Sequence, residues 1–351
     1  MKRTSMNKVM LSGLLALFHP TLSYAGDIWP FDVTDVVSGK TVPYQGLDKA
    51  SKKWHICVLF PHMKDSYWVG VDYGIADQAK QLGIKATIFQ AGGYTEAAKQ
   101  VAQYNDCVAL GVDAIVIGAI SEAGLSKSMT EGKAKGIVQV GVINPLQGDV
   151  ADAKIYANYD VAAEAGAKFL ADKFKGNADH VKLLHFPGPQ GSGWAEASTE
   201  GVKRGIEGSK IDLLDAKYGD TGKSIQLQLV EDALQTYDDI SIIYGTAVTA
   251  EVAKQALQEA GVDRDITVAS YYSNEGIVDL VKKGEVSATV TESPVMEARI
   301  AVDLAVRILE KKEHYKHLNP AMSIVTKDNI DSMDLTRSFA PADWKPVYSV
   351  D

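Results

Sequence analysis

The feature that most constrains the fold is a short apolar run followed by a loop and an amphipathic helix. Residues 54–60 contain one strongly polar side chain, His55, as expected of a strand buried on both faces of a parallel sheet. Pro61 ends the run, Ser66 can cap a helix and Gly83 can end it. The loop therefore lies at the carboxyl end of a strand, where open α/β sheets bind their ligands.

The same alternation of strand and helix continues along the chain. A first set of units extends to a predicted strand over residues 138–143, and a second set runs from a strand over 181–186 to a strand over 288–290. Strands that alternate with helices at this spacing form right-handed crossovers and a parallel sheet. We therefore predict an α/β fold of two doubly wound parallel-sheet lobes that are joined by a three-strand hinge.

The chain is long enough for two domains. We predict that the lobes are joined by crossings near residues 155–160, 292–294 and 319. The predicted division is a signal peptide (1–25), an irregular N-terminal arm (26–53), an N-terminal lobe (54–158 with 294–319), and a C-terminal lobe with the tail (159–293 with 320–351).

The first 25 residues have the pattern of an export signal. Basic residues stand near the start, an apolar run covers residues 9–18, and a small-x-small cleavage site ends at Ala25. The apolar run is too short to span a bilayer, as is every later one. We therefore predict an exported protein that is not inserted in a membrane.

The charge of the chain argues against two classes of partner. Cleavage after Ala25 removes Lys2, Arg3 and Lys8 from a chain of formal net charge −9, which leaves −12. A strongly acidic protein without a basic stripe is a poor partner for nucleic acid or for an anionic membrane.

The two cysteines leave two possibilities open. An oxidising compartment permits a disulfide between Cys57 and Cys107. Because Cys57 lies within a predicted strand and Cys107 within a predicted helix, two buried free thiols fit the sequence equally well.

The sequence contains none of the common catalytic motifs for nucleotide binding, zinc proteolysis, dithiol chemistry or serine hydrolysis. The glycine-rich loop 188–193 lacks the lysine of a nucleoside triphosphate site and is typical of a tight turn. His62 lies near Asp65, but no nucleophile accompanies the two in that loop, and the histidines are not paired at metal-ligand spacing. We predict a protein that is not an enzyme and that carries no metal or cofactor.

Aromatic side chains and carboxylates are concentrated in loops that follow predicted strands. If both lobes present strand carboxyl ends to one cleft, these side chains line it. Rings and acids with few basic residues favour a cation or a methylated ammonium group, whereas helix N-termini favour a negative oxygen. Amine N-oxides and betaines combine the two. The predicted ligand-binding residues are Asp65, Tyr67, Trp68, Tyr94, Ser121, Trp194, Glu196, Thr246, Tyr271, Tyr272 and Glu292.

Three segments carry a resemblance to a known family. They are I-C-V-L-F-P-H-M-K-D-S-Y-W-V-G-V-D-Y-G (56–74), A-L-G-V-D-A-I-V-I-G (109–118) and G-E-V-S-A-T-V-T-E-S-P (284–294). From residue 54 to about residue 319 the chain resembles the type I periplasmic binding proteins, the family of ribose-binding proteins and repressor cores. The resemblance implies a two-lobed periplasmic protein that closes on its ligand by a hinge motion.

The sequence departs from the sugar-binding members at the positions that hold the ligand. Those members have an asparagine before two phenylalanines in the first cleft loop, where this chain has Asp65, Tyr67 and Trp68. In the second lobe they use an arginine, an asparagine and an aspartate to hold sugar hydroxyls. The matching residues here are Glu196, Thr246 and Tyr272, which argues against a sugar.

The whole chain, including the arm and the tail, resembles sensory members of this family. That resemblance implies a protein that binds trimethylamine N-oxide and presents it to the periplasmic sensor domain of a histidine kinase. Asp65 and Glu292 would then balance the positive nitrogen. The alternative is a sugar- or betaine-binding component of an ABC transporter. The rings expected to enclose the trimethylammonium end are Tyr67, Trp68, Tyr94, Trp194 and Tyr272.

Overall fold

The computed structural model describes residues 28–146 and 148–351. The predicted signal peptide lies outside the described residues. Among the residues that are described, no helix is both long enough and apolar enough to cross a membrane.

Strands and helices alternate as the sequence predicts. The strands are β1 (Phe31–Asp35), β2 (Lys40–Tyr44), β3 (His55–Phe60), β4 (Lys85–Gln90), β5 (Ala114–Ile117), β6 (Val138–Val142), β7 (Ala153–Ile155), β8 (Val181–Gly188), β9 (Ile211–Tyr218), β10 (Ile240–Gly245), β11 (Thr267–Ser270), β12 (Thr289–Thr291), β13 (His317–Pro320), β14 (Ser323–Val325) and β15 (Ser349–Val350). The α-helices are α1 (Ser66–Leu82), α2 (Ala97–Ala109), α3 (Glu122–Ala134), α4 (Tyr159–Phe174), α5 (Trp194–Ile206), α6 (Lys223–Thr236), α7 (Ala247–Glu259), α8 (Val278–Lys283) and α9 (Pro294–Leu309).

The N-terminal lobe is built on a nine-stranded sheet with the order β15-β4-β3-β5-β6-β7-β13-β1-β2. The pairings from β4 to β13 are parallel, and β3 is fully buried except at its first residue. The C-terminal lobe contains a parallel four-stranded sheet with the order β11-β10-β8-β9. The predicted α/β fold class with parallel sheets is confirmed, and both sheets direct the carboxyl ends of their strands toward the loops described below.

The arm differs from the prediction of an irregular segment. Strands β1 and β2 form an antiparallel hairpin, and β1 also pairs with β13, so the arm extends the large sheet. Phe31 and Val33 are buried whereas Asp32 between them is exposed. This is the period-two alternation of a strand with one buried face. Pro30 and Pro43 in this segment are the reason why the sequence indicates an irregular arm.

The tail ends on the opposite edge of the same sheet. Strand β14 pairs with β12, but β15 pairs with β4, in the antiparallel sense. The side chain of Trp344 donates a hydrogen bond to Asp72 of α1 at 3.0 Å. The sequence division gave residues 320–351 to the C-terminal lobe. The pairing of β15 corrects that division for the end of the tail, which lies against the N-terminal lobe.

The two cysteines form a disulfide that joins β3 to α2. Their Cα atoms are 5.9 Å apart, and both side chains are fully buried. The bridge closes a loop with a sequence separation of 50 residues. The sequence left open either a disulfide or two free thiols, and the structure contains the disulfide.

Candidate functional site

A small cavity lies between the lobes, at the carboxyl ends of the parallel strands. The space between its walls that is not filled by protein atoms is about 280 Å³, the open mouth included. The residues that line the cavity, all in the described part of the chain, include no lysine and no arginine. They are Asp65, Tyr67, Trp68, Tyr94, Ile143, Asn144, Tyr159, Trp194, Thr221 and Tyr272.

The first cleft loop is positioned by the start of α1. The N-cap is Asp65 rather than the predicted Ser66: its carboxylate accepts the backbone N–H of Trp68 at 3.1 Å. The helix ends at Gly83, as predicted, in a left-handed conformation with φ of 72°. Burial raises the pKa of Asp65 to about 7, although the Trp68 N–H opposes the shift.

The cap places two aromatic rings in the first turn of α1, and both line the cavity. Tyr67 is 5% exposed and Trp68 is 3% exposed, and their ring centroids are 6.1 Å apart. A Cβ atom at Gly118, at the end of β5, would lie 2.7 Å from the Trp68 ring. Gly118 therefore leaves the space in which the ring lies.

The second lobe provides a matching arrangement. Trp194 is the first residue of α5 and is 4% exposed. A Cβ atom at Gly188, where φ is 103°, would lie 2.4 Å from its ring. Tyr94 of the first lobe meets Trp194 with ring centroids 5.6 Å apart. A glycine at the end of a strand thus makes room for a tryptophan in each lobe.

The structure brings together all the rings that the sequence predicts around the ligand, and it adds Tyr159. This ring begins α4, within the predicted crossing near residues 155–160, and is 5.8 Å from the ring of Trp194 and 6.3 Å from that of Tyr272. We refer to the six rings as the aromatic cage. The cage consists of Tyr67, Trp68, Tyr94, Tyr159, Trp194 and Tyr272.

Two polar residues in the wall were missed by the sequence analysis. Asn144 follows β6 and donates a hydrogen bond to the Tyr94 hydroxyl at 3.1 Å. Thr221 follows β9 and contacts His62. Both come shortly after the carboxyl end of a parallel strand, and the rule that identified the other loops would have found them.

Some predicted residues are engaged in their own loops instead of facing the cavity. Ser121 is the N-cap of α3 and accepts the N–H of Gly124 at 3.2 Å. Glu196 reaches back from α5 to accept the N–H groups of Gly191 and Gly193 at 2.6 and 2.9 Å. These carboxylate and hydroxyl oxygens accept hydrogen bonds from backbone N–H groups at a helix start. Because they are engaged there, they do not face the cleft.

Thr246 and Tyr271 are likewise buried behind the cavity wall. The Thr246 hydroxyl accepts the N–H of Thr249 at 3.0 Å and so caps α7. The Tyr271 hydroxyl donates to the carbonyl of Pro187 at 2.5 Å. The ring of Tyr271 lies 5.3 Å from that of Tyr272 and supports it from behind.

Glu292 lies one layer behind the cavity. Its carboxylate accepts a hydrogen bond of 2.9 Å from the Tyr67 hydroxyl, which also meets the Tyr159 hydroxyl at 3.0 Å. Burial raises the pKa of Glu292 to about 8, against the opposing effect of the Tyr67 hydrogen bond. The acid that was predicted in the site thus touches the cage through a tyrosine hydroxyl.

Two contacts cross between the lobes at the mouth of the cavity. His62 Nε2 lies 3.0 Å from the Thr221 hydroxyl, and Lys64 Nζ lies 3.1 Å from a carboxylate oxygen of Asp220. Burial lowers the pKa of His62 to about 4, so this imidazole is neutral at pH 7. These contacts hold the lobes in the closed arrangement.

A larger cavity elsewhere is an open surface groove. It encloses about 1300 Å³ and lies beside the arm, where its wall includes Tyr44, Arg307, Lys311 and Tyr315. It lies at the end of β2 and just before β13, away from the carboxyl ends of the parallel strands at which the two lobes meet.

Comparisons with known proteins agree with this architecture. The family described as "Periplasmic binding protein domain" matches residues 56–313. The chain is 27% identical to the periplasmic protein TorT of Escherichia coli K12 over 302 residues, which are 86% of each chain. It is 24% identical to the ribose import binding protein RbsB of Bacillus subtilis 168, over 79% of this chain and 88% of that protein.

Solved structures extend the comparison. An ABC transporter solute-binding protein from Bradyrhizobium sp. BTAi1 with bound bis-tris is 41% identical, with a TM-score of 0.79 that covers 93% of this chain and all of that one. TorT in its complex with the TorS sensor domain, solved in the presence of trimethylamine N-oxide, has the same fold, with 24% identity and a TM-score of 0.75 over 84% of this chain and all of that one. These relatives are binding proteins and not enzymes. With the family match over most of its length, the chain belongs to the periplasmic binding proteins.

Proposed function

We propose that this protein binds a small methylated amine, with trimethylamine N-oxide as the first candidate, between its lobes in the periplasm. The observation that carries the proposal is the aromatic cage with acids near it and no basic residue in the wall. Aromatic faces attract quaternary ammonium groups, and each desolvated contact contributes on the order of 1–2 kcal/mol. The cavity is small, which suits a ligand of few heavy atoms.

The cavity also offers a donor for a negative oxygen. The Trp194 indole N–H is buried and makes no hydrogen bond to any described residue. A buried donor without a partner costs free energy. A ligand oxygen that accepts a hydrogen bond from this N–H removes that cost. An amine N-oxide supplies both the methylated nitrogen and such an oxygen.

Two of the relatives support an amine, whereas others are sugar-binding proteins. The complex of TorT with the TorS sensor domain was solved in the presence of trimethylamine N-oxide. Bis-tris, which is bound to the relative from Bradyrhizobium, is a tertiary amine and is cationic when protonated. The ribose import binding protein is about as similar as TorT, but the arginine that family members use for sugar hydroxyls is absent from the cavity wall described above.

We propose that the bound state is reported to the periplasmic sensor domain of a histidine kinase, as the TorT similarity suggests. A second candidate is delivery of an amine to an ABC transporter. The specific observation in its favour is the 41% identity with a protein described as an ABC transporter solute-binding protein.

A thermal-shift panel tests the ligand class. The panel contains trimethylamine N-oxide, glycine betaine, choline, D-ribose and D-allose. Because a ligand at 100 times its dissociation constant stabilises the folded state by about 2.7 kcal/mol, a true ligand raises the melting temperature measurably. We expect shifts with the methylated amines and none with the sugars. Shifts with the sugars alone would reverse the proposal. Co-elution with a TorS-type sensor domain, with and without ligand, then tests the kinase partner.

A further inference from the structure

Two buried carboxyl groups lie behind the aromatic cage without a positive partner. Glu292 is 1% exposed and Glu297, in the first turn of α9, is fully buried. No hydrogen bond of good geometry reaches either oxygen of Glu297 from the described residues. A buried ionised carboxylate without a partner costs several kcal/mol, so such groups take up a proton instead.

The groups that face this pair come from several elements, and they are acidic or neutral. Tyr67 faces it from the start of α1, Tyr159 faces it from α4, and the ring of Tyr271 lies beyond them in the second lobe. Each of these phenols has a raised pKa, mainly because of burial, and is neutral at pH 7.

No ion pair among the described residues includes Glu292 or Glu297, and the basic residues on neighbouring elements have other acidic partners. Lys64 pairs with Asp220 at 3.1 Å, Lys223 pairs with Glu251, and Arg299 of α9 pairs with Asp77 at 2.6 Å. Within the described residues the carboxyl pair therefore has no counter-ion.

Tyr67 connects the carboxyl pair to the cavity. Its ring lines the cavity, and its hydroxyl donates to Glu292 at 2.9 Å. A positive charge in the cage therefore lies one side chain away from Glu292, in a region from which water is largely excluded. At low dielectric, charges interact over such a distance far more strongly than in water.

We propose that Glu292 exchanges its proton for the positive charge of the ligand. A cationic ligand enters the cage, Glu292 ionises as its counter-ion, and the proton passes to solvent; no covalent bond of the ligand changes. The Tyr67 hydroxyl donates to the carboxylate in the ionised state. This inference rests on the proposed function, since it requires a cationic group in the cage.

The protonation of the pair agrees with this exchange. Burial raises the pKa of Glu292 to about 8 and that of Glu297 well above its usual value, and Glu292 contributes to the shift of Glu297. At pH 7 the empty site therefore holds Glu292 mainly in its protonated form. A cation that lowers the pKa of Glu292 must release that proton.

The net charge of the ligand then sets the number of protons released. Tetramethylammonium carries a full positive charge and displaces about one proton at pH 7, because binding and ionisation are linked. In trimethylamine N-oxide the oxide oxygen offsets the nitrogen, and we expect less than about half a proton.

Titration calorimetry of the mature protein tests the exchange. Tetramethylammonium chloride and trimethylamine N-oxide are each titrated at pH 7 in phosphate and in Tris, whose ionisation enthalpies differ. The difference in observed heat gives the protons released. We expect about one for tetramethylammonium, with an affinity that rises about tenfold from pH 6 to pH 7 and about fivefold from pH 7 to pH 8.

Two isosteric variants assign the proton to a residue. Glu292→Gln keeps an acceptor for the Tyr67 hydroxyl but cannot ionise, so proton release and the pH dependence of affinity should both fall well below those of the wild type. Asp72→Asn removes a buried carboxyl that does not line the cavity and keeps an acceptor for the Trp344 indole. Proton release should persist in this variant.

Several results would overturn the inference. They are tetramethylammonium binding to the wild-type protein without proton release, proton release in Glu292→Gln that equals that of the wild type, or proton release that is lost in Asp72→Asn. Absence of tetramethylammonium binding at pH 9 would also overturn it. If trimethylamine N-oxide still binds in those cases, the proposed function stands and only the exchange fails. If neither amine binds, both fail.

Discussion

The ring of Tyr67 in the N-terminal lobe meets the ring of Tyr272 in the C-terminal lobe edge to face, with centroids 5.3 Å apart and planes inclined by 71°. The two residues belong to different lobes, and so do Tyr94 and Trp194. The aromatic cage is therefore complete only when the lobes are closed. Ligand binding and closure are coupled because the closed state alone offers all the rings to the ligand.

Loss of one ring should weaken binding without changing the fold. Trp68→Leu fills most of the space but removes the aromatic face, so the affinity for trimethylamine N-oxide should fall by a factor of roughly 5–30, the equivalent of 1–2 kcal/mol. Calorimetry gives the affinity, and Trp344→Leu, outside the cavity, is the matched control. An unchanged affinity in a folded Trp68→Leu protein would exclude Trp68 from the site.

The ion pair between the lobes should affect the lifetime of the closed state. Lys64→Met removes the contact with Asp220, in which the lysine is 39% exposed. Partly exposed pairs contribute about 0.2–1 kcal/mol, so ligand dissociation should become up to about fivefold faster. Stopped-flow fluorescence measures this rate, and Lys127→Met, which removes an exposed pair within α3, should leave it unchanged. A slower dissociation in Lys64→Met would contradict the role of this contact.

The buried Glu292 should make the empty protein less stable as the pH rises. Its pKa is raised from 4.5 to about 8 by burial. Between these values the folded state binds a proton that the unfolded state has lost, so stability falls as pH rises through this window. Glu292→Gln lacks this dependence, and its melting temperature relative to wild type should increase from pH 5 to pH 8.5. A difference that is constant over this range would show that Glu292 is not protonated in the folded state.

The disulfide should contribute substantially to stability. A bridge that closes a loop of about 50 residues stabilises a protein by roughly 4 kcal/mol in the chain-entropy model. A protein with Cys57→Ala and Cys107→Ala should therefore show a clearly lower denaturant midpoint but unchanged ligand affinity, since neither residue lines the cavity. Equal midpoints for the variant and the oxidised wild type would contradict the bridge.

The sequence predicted the parallel sheets and the rings of the cage for the same reason. Apolar runs such as that of β3 identify buried parallel strands, and residues just beyond their carboxyl ends converge in any open α/β sheet. Trp68 and Trp194 could be placed in one cleft from this rule alone. Tyr159 could not, because it begins a helix after a crossing between the lobes, where no strand signal precedes it in the same lobe.

The predicted residues that do not line the cavity share a different feature. Ser121, Glu196 and Thr246 lie at the right end of their strands, but each binds backbone donors at the start of its own helix. Whether an oxygen caps a helix or faces a cleft depends on side-chain rotamers that the residue type leaves open. Similarly, the position of Glu292 behind Tyr67 depends on how the two lobes close on each other. The pattern of residues along the sequence does not determine this arrangement.

The most direct test of the central claim is one calorimetric comparison on the mature wild-type protein at pH 7, with trimethylamine N-oxide in one titration and D-ribose in the other. The account predicts saturable one-to-one binding of trimethylamine N-oxide, and no heat of binding with D-ribose at the same concentration. Saturable binding of D-ribose with none of trimethylamine N-oxide would contradict the claim that the aromatic cage receives a methylated nitrogen.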